Sequence, residues 1–427
     1  MSIATTFSVL FGLLIVFLVF NVPLVASIGL PTAISMIVSD MNFATLAQRV
    51  HASVDSFTML AIPLFMLAGK LMEVGGMSRR IVDFADELVG WISGGLAHVM
   101  IISSAFFGAL SGSSAATCAS IGSIMIPEMR KKGYKADFCA GLQAVAAIDI
   151  IPPSITMITY AVASGTSVGA LFMGGIIPGL LIAILLMITV GIKVKREKIA
   201  EKKEFNIKKL GKAFVDAVPA LMVPIIILGG MFSGMFTATE SGAIACLYGF
   251  LVGVFYYKEL NRDNIFEIIG GAITNTVLVM LIVGVSGAFS WMLTTSGASN
   301  MLSRLLGDFA TNKYVFLLLS NIIFIFLGMF IESVAAILIV TPIMHPIAMS
   351  LGINPVHYGI IMVTNLAIGL CTPPVGENQY IVSAIADIPF EQEVKASFPF
   401  VMVAFLGLFI ITYIPDIVMF LPNLLGY

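Results

Sequence analysis

Long, nearly charge-free apolar runs constrain this chain more than any other feature. Ile3 to Val25, Leu171 to Ile192, Phe214 to Met235 and Phe398 to Leu421 each reach or approach the roughly 20 residues that cross a bilayer as a helix. Of the 427 residues, 59% are hydrophobic and 11% charged, and mean hydropathy is +1.04, more apolar surface than a soluble core can enclose. Backbone groups inside hydrocarbon must be satisfied within the protein, so the expected fold is an all-α polytopic membrane protein. The first run has no Lys or Arg before it and exceeds a signal-peptide core, which makes it a retained span. Cys118, Cys139, Cys246 and Cys371 stand singly, and their spacing suggests neither a disulfide framework nor a zinc site.

The few charges orient the chain. Residues 193 to 212, "KVKREKIAEKKEFNIKKLGK", hold nine of the 22 Lys and Arg and divide the chain nearly in half. The positive-inside rule places this linker in the cytoplasm, together with "MRKKGYK" from Met129 to Lys135. The chain between them must cross and return, which fits a broken span from about 137 to 165 and a continuous one from about 168 to 192.

The two halves repeat. At a shift of 220, "GALSGSSAATC" (Gly108 to Cys118) lies over "GMFIESVAAIL" (Gly328 to Leu338); at 221, "DIIPPSITM" (Asp149 to Met157) lies over "LCTPPVGEN" (Leu370 to Asn378) and Pro178 over Pro399. Different landmarks recur in one order at nearly constant offset. The place of the basic "MRKKGYK" is taken in the second half by "MSLGINP" (Met349 to Pro355), which carries no Lys or Arg, so equivalent loops face opposite sides. That is the pattern of an inverted-topology repeat, with 1–192 as the first repeat, 193–212 as linker and 213–427 as the second. On this topology the C-terminus is periplasmic.

Each half offers two helix breaks. One is the Gly/Ser-rich "SGSSAAT" near Ser111, where hydroxyls compete for the backbone. The other is the Pro-Pro pair, since proline lacks a donor and drives its predecessor out of the helical region. An interrupted helix exposes carbonyl oxygens at one end and amides at the other, which suits a cation and a carboxylate. Ser111, Ser113, Ser114, Ser154, Ser333 and Thr372 add hard oxygens without fixed charge, favouring Na⁺ over transition metals, for which no ligand cluster is evident.

These paired elements, "SGSSAAT…IPPS" and "IESVAA…CTPPVGENQ", with "GGMFSGMFTATESGAIA" (Gly229 to Ala245) opening the second half, resemble the large membrane subunit of tripartite ATP-independent periplasmic (TRAP) transporters over essentially the whole chain. The resemblance implies an ion-transporter-type fold of inverted repeats, with a scaffold, two re-entrant hairpins and two discontinuous helices working as an elevator. It places the hairpin tips near Ser111 to Ser114 and Ile331 to Ser333, and the unwound segments near Asp149 to Ser154 and Gly369 to Gly376. It implies Na⁺-coupled import of an organic acid anion, a sialic acid or a C4-dicarboxylate, across the bacterial inner membrane. It also implies two partners, a separate small four-helix membrane subunit and a periplasmic substrate-binding protein. Sodium ligands are then expected among Ser111, Gly112, Ser113, Pro152, Gly328, Glu332, Ser333, Gly369, Thr372 and Pro373. Substrate contacts are expected from Ser114, Ser154, Thr156, Gly376 and Asn378, with no cofactor beyond the coupling ion.

The tips differ chemically: "SGSS" against "IES", with Glu332 standing where the first half has Gly112. Glu332 is open to roles as ligand, proton carrier or structural partner. Asp149 and Glu240 are equally open between lining the transport region and serving structure. The four histidines lack paired spacing and read as core or interfacial residues. "KLMEVGGMSRRIVDFADELVGW" reads as an amphipathic arm at the cytoplasmic interface, with "TTSGASNMLSRLLGDFATNK" as its counterpart on the other side. A pump would need a phosphate loop, which neither Gly69-Lys70 nor Gly211-Lys212 completes. No nucleophile and base stand in a recognisable arrangement for an enzyme. The rival readings are a proton-coupled or binding-protein-independent anion transporter of the same fold and, further off, a channel.

Overall fold

The computed structural model describes residues 3–20, 22–197, 203–297 and 312–427, and these residues are all-helical. The first half comprises α1 (Ile3–Val19), α2 (Leu24–Val38), α3 (Ala44–Val54), α4 (Ala61–Val74), α5 (Met77–Val89), α6 (Gly95–Ser111), α7 (Ser114–Lys131), α8 (Ala136–Ala146), α9 (Ile155–Ser164) and α10 (Val168–Glu197). The second comprises α11 (Ile207–Phe232), α12 (Ala238–Leu251), α13 (Arg262–Thr295), α14 (Lys313–Gly328), α15 (Ser333–Ser350), α16 (Pro355–Gly369), α17 (Glu377–Ala386), α18 (Phe390–Tyr413) and α19 (Pro415–Leu424). Six of the described helices are long and apolar enough to cross a bilayer unaided.

Two of the expected spans are not single rods. The run from Ile3 to Val25 stops at Val19 and restarts after Pro23. The run from Phe398 to Leu421 is cut at Ile414, held at φ −121° and ψ 83° by the following Pro415, which excludes the helical region for its predecessor. The run to Met235 ends at Phe232, since Gly234 turns left-handed at φ 71°.

Burial sorts the helices. In α15, 72% of the apolar window is buried, against 22% in α13, so α15 lies inside the bundle and α13 at its rim. The rim helices α2, α3, α4, α12 and α13 pack on one another, and α5 packs on α11. Inside, a reciprocal arrangement appears. Each half's helix before its Pro-Pro pair packs on its own helix-turn-helix, α6 on α8 and α14 on α16. Each half's helix after the pair packs on the other half's, α9 on α15 and α17 on α7.

The expected cytoplasmic arm is divided at Gly75-Gly76, where Gly76 at φ 84° ends α4 and starts α5. α5 buries Met77, Ile81, Val82, Phe84, Ala85 and Val89 on one face. Its polar face holds the linker: Lys203 Nζ lies 2.6 Å from Asp86 and 2.8 Å from Glu87. Arg80 pairs with Glu259 and lies over the Tyr257 ring, 4.4 Å from its centroid. Linker residues 198–202 and most of the second arm expected over 294–313 fall outside the described residues.

Candidate functional site

The first helix-turn-helix closes on hydroxyls. α6 ends at Ser111, Gly112 turns left-handed at φ 60°, and Ser113 caps α7 by accepting from Ala116 N–H at 3.3 Å. Ser111 Oγ lies 3.2 Å from Thr117 Oγ1, which donates to Ser113 O at 2.9 Å. The tip reaches the irregular segment between α8 and α9, where Ile155 N–H donates to Gly112 O at 3.3 Å. A side chain at Gly112 would meet Pro153 O at 3.1 Å as well as needing the left-handed backbone, so only glycine fits. Asp149 is buried in this segment, beside Ser154 and within electrostatic reach of Glu332. Ser154 Oγ and Thr156 Oγ1 are 2.7 Å apart, and Pro152 is buried in the same break as Ser154.

The second helix-turn-helix is built differently. α14 ends at Gly328, the four residues Met329 to Glu332 make the turn, and Glu332 caps α15 by accepting from Ala335 N–H at 3.2 Å. Glu332 therefore takes the capping part of Ser113, not the place of Gly112 that the sequence shift gives it. Its exposed side chain faces a cavity of about 790 Å³ lined by Leu18, Val22, Leu24, Phe326 and Phe330. Gly328 and Gly369 meet backbone to backbone: a Cβ at Gly369 would lie 2.5 Å from Gly328 Cα. Past Gly369 the chain unwinds, with Thr372 N–H bonded to Gly369 O at 2.9 Å and Thr372 Oγ1 to Ile368 O at 2.8 Å. Pro373 and Pro374 follow, and Gly376 at φ 55° opens α17. The Pro152-Pro153 and Pro373-Pro374 peptides are both cis.

The halves are joined at Asn378. Its Nδ2 donates to Ser114 Oγ at 2.7 Å and lies 3.0 Å from Ala144 O, while Ser114 Oγ donates to Ala147 O at 2.9 Å. Two residues expected to touch substrate thus touch each other, fully buried, across 264 residues of chain. The amides expected to meet an anion are partly engaged already, since Asn378 N–H bonds Leu370 O at 3.1 Å and Ile155 N–H bonds Gly112 O.

Sequence reasoning missed a layer of buried amides behind these breaks. Gln143 on α8 accepts from Ser104 and donates to Thr117 O, both at 3.2 Å. Asn365 on α16 donates to Asn321 Oδ1 at 2.6 Å, and Asn321 donates to Thr412. An amide inside an apolar run is the signal that could have found them. Unpartnered buried oxygens concentrate in the second half: Ser333 Oγ, Thr364 Oγ1, Asn365 Oδ1 and Asn378 Oδ1. Glu240 is exposed and closes a capping box with Thr237, which resolves its role as structural. Among the described residues no group of three or more His, Cys, Asp or Glu could hold a metal ion.

Comparison with known proteins follows the same lines. The chain matches the family profile "Tripartite ATP-independent periplasmic transporter, DctM component" over residues 11–417. It is 39% identical to the C4-dicarboxylate TRAP transporter large permease protein DctM of Pseudomonas aeruginosa, covering 94% of each chain. It is 38% identical to the sialic acid TRAP transporter large permease protein SiaM of Vibrio cholerae, covering 91% of each. Its fold is similar to that of the Alcanivorax borkumensis YdaH transporter, with a TM-score of 0.66 at 15% identity over 87% of both chains. Multi-pass, helical, and matched from end to end by large permeases, the chain belongs to the DctM component family of tripartite ATP-independent periplasmic transporters.

Proposed function

We propose that this permease imports an organic acid anion across the bacterial inner membrane by sodium-coupled alternating access, receiving it from a periplasmic binding protein and working beside a small membrane subunit. The observation that carries the reading is the concentration of partnerless buried oxygens, Ser333 Oγ, Thr364 Oγ1, Asn365 Oδ1 and Asn378 Oδ1, around the second break. Hard oxygens without fixed charge suit Na⁺, and such broken backbone persists in a membrane only where protein, water or an ion meets it. Glu332 adds a carboxylate at the tip, and Gly369 and Thr372 add unwound backbone.

The reciprocal packing, α9 on α15 and α17 on α7, supports two inverted repeats, 1–192 and 213–427, whose tips act as re-entrant hairpins. The inner helices form the moving part, and α2 to α4 with α11 to α13 form the scaffold. The basic linker lies in the cytoplasm and the C-terminus in the periplasm. Relatives named for a C4-dicarboxylate and for sialic acid share anionic substrates, so an organic acid is the class carried over.

Reconstitution tests this. Uptake of a labelled acid into proteoliposomes should require an inward sodium gradient and the binding protein together. Uptake indifferent to both would overturn the reading.

A further inference from the structure

Behind the second break, α17 and α18 run antiparallel through the short turn Asp387 to Pro389, at the end of the bundle where Arg130 of α7 donates to Ala386 O at 3.1 Å. Gln379 Nε2 on α17 donates to Ser397 Oγ on α18 at 3.1 Å. One helical turn toward the loop from each of these stand Ser383 and Glu393, so the same register sets them opposite one another. Glu393 is 0% exposed, and neither of its carboxylate oxygens has a hydrogen-bond partner. Gln379 Oε1 and Ser383 Oγ are buried without partners too. The neighbouring donors are turned elsewhere or out of reach: Gln379 Nε2 donates to Ser397 Oγ, the Ser397 hydroxyl to Val394 O, and the Ser383 hydroxyl to nothing.

The first half makes the same contact from hydrocarbon. Counted from the helix starts, Ile155 with Glu377 and Val168 with Phe390, the offset past the proline pair is 222, one more than the sequence shift. Met157 and Gly175 then answer to Gln379 and Ser397, and a Cβ at Gly175 would lie 2.4 Å from the Met157 methyl. At that offset Ala161 and Leu171 occupy the places of Ser383 and Glu393. The carboxyl is therefore an addition to a contact that packs without it.

No cation answers it. The charged and titratable groups around this end are Asp137 and Cys139 on α8, Arg130 on α7, Lys193 on α10, Glu377 on α17 with Cys371 before it, and Asp387 in the turn. Cys118 on α7, Lys195 on α10, and Glu391 and Lys395 on α18 itself belong with them, and His357 on α16 and Asp416 on α19 stand at the far end. Arg130 bonds Ala386 O, Lys193 lies 4.6 Å from the Phe400 ring centroid, and His357 bonds Ile411 O. None forms an ion pair with Glu393 among the described residues. A carboxylate held out of water without partners is costly by several kcal/mol, and such a group takes up a proton instead. A metal ion would need more oxygens than one carboxylate, one amide and one hydroxyl supply.

We propose that Glu393 is a proton-binding site inside the second half, where a neutral carboxyl donates the missing hydrogen bond to Ser397 or Gln379. Its ionisation places an uncompensated negative charge in the dry α17–α18 contact and opens it. The inference stands apart from sodium coupling and from the identity of the anion, so its test needs neither. Infrared spectra of the purified full-length protein should show a buried carboxylic-acid C=O band at neutral pH that E393Q lacks. Thermal stability should fall for the wild type as pH rises through loss of that band, while E393Q, neutral at any pH, and E393L, which supplies the residue that the helix-start offset gives the first half, lack that part of the fall. A wild-type spectrum without the band, or an E393Q stability profile that follows the wild type, would overturn the proposal. So would a band lost on adding sodium at constant pH, which would make the site a sodium site.

Discussion

The turn between α6 and α7 uses two residues and closes on hydroxyls that bond one another, whereas the turn between α14 and α15 uses four and closes on a carboxylate. Behind the first, glycine gives the tip room: a Cβ at Gly108 would meet nothing nearer than Thr117 Oγ1 at 3.8 Å. Behind the second, Gly328 and Gly369 leave no room at all. One turn satisfies itself, and the other leaves Ser333 Oγ open and brings backbones into touch. On the function proposed above, the second turn is the one whose open oxygens await a ligand, while the first is closed by its own hydroxyls.

The largest expected effect comes from the glycine contact. Gly369→Ala forces backbone apart at a site where no side chain can yield, and should destabilise the protein by about 2–3 kcal/mol and abolish uptake. Gly108→Ala should stay within about 0.5 kcal/mol of wild type. Thermal melts of the two variants in detergent check this, and equal losses would erase the asymmetry. Next comes the link between the halves. Asn378→Leu takes away the donor to Ser114 Oγ and should cost about 1–3 kcal/mol, while a double-mutant cycle with Ser114→Ala should return a coupling near 0.6 kcal/mol, as for other intramembrane pairs. A coupling of zero would mean that the 2.7 Å bond joins the halves in geometry only.

The caps sharpen the contrast further. Ser113→Ala and Glu332→Ala should each cost about 1 kcal/mol, since each removes one helix cap. Glu332→Gln keeps the acceptor and removes the charge, so it should melt like wild type yet need more sodium for half-maximal uptake. An unchanged sodium requirement would reduce Glu332 to a cap. The smallest effect belongs to the linker. Burial pulls Lys203 down, but its hydrogen bonds to Asp86 and Glu87 outweigh this and hold its pKa above the ordinary lysine value of 10.5. Its contribution is therefore complete below that value and lost only as pH rises through the raised one, leaving stability flat with respect to this group across neutral pH. Lys203→Ala should cost at most about 1 kcal/mol, an effect that high salt reproduces in the wild type.

Much of this was legible in the sequence because it depends on backbone chemistry. Proline pairs and Gly112 break helices wherever they stand, and both breaks fall within the expected segments. Apolar runs announce spans, but the cuts at Pro23 and Pro415 show that composition measures greasiness and not continuity. The register of the second tip was not legible, because a shift of 220 counts residues while a helix cap depends on where the turn ends. Nor was the Asn378–Ser114 bond, since an amide's partner across 264 residues is set by packing alone. The layer of Gln143, Asn321 and Asn365 carried a signal that single-residue spacing did not reveal.

The reciprocal packing of α7 with α17 and of α9 with α15 has a consequence for biogenesis. A chain inserted from its N-terminus completes α7 and α9 before their partners exist, so the first half waits in the bilayer with both surfaces uncovered. The tertiary contacts around Ser114 then form only once Asn378 has been synthesised. The packing between the halves is in this sense the last step of assembly, whatever the first half has folded by then.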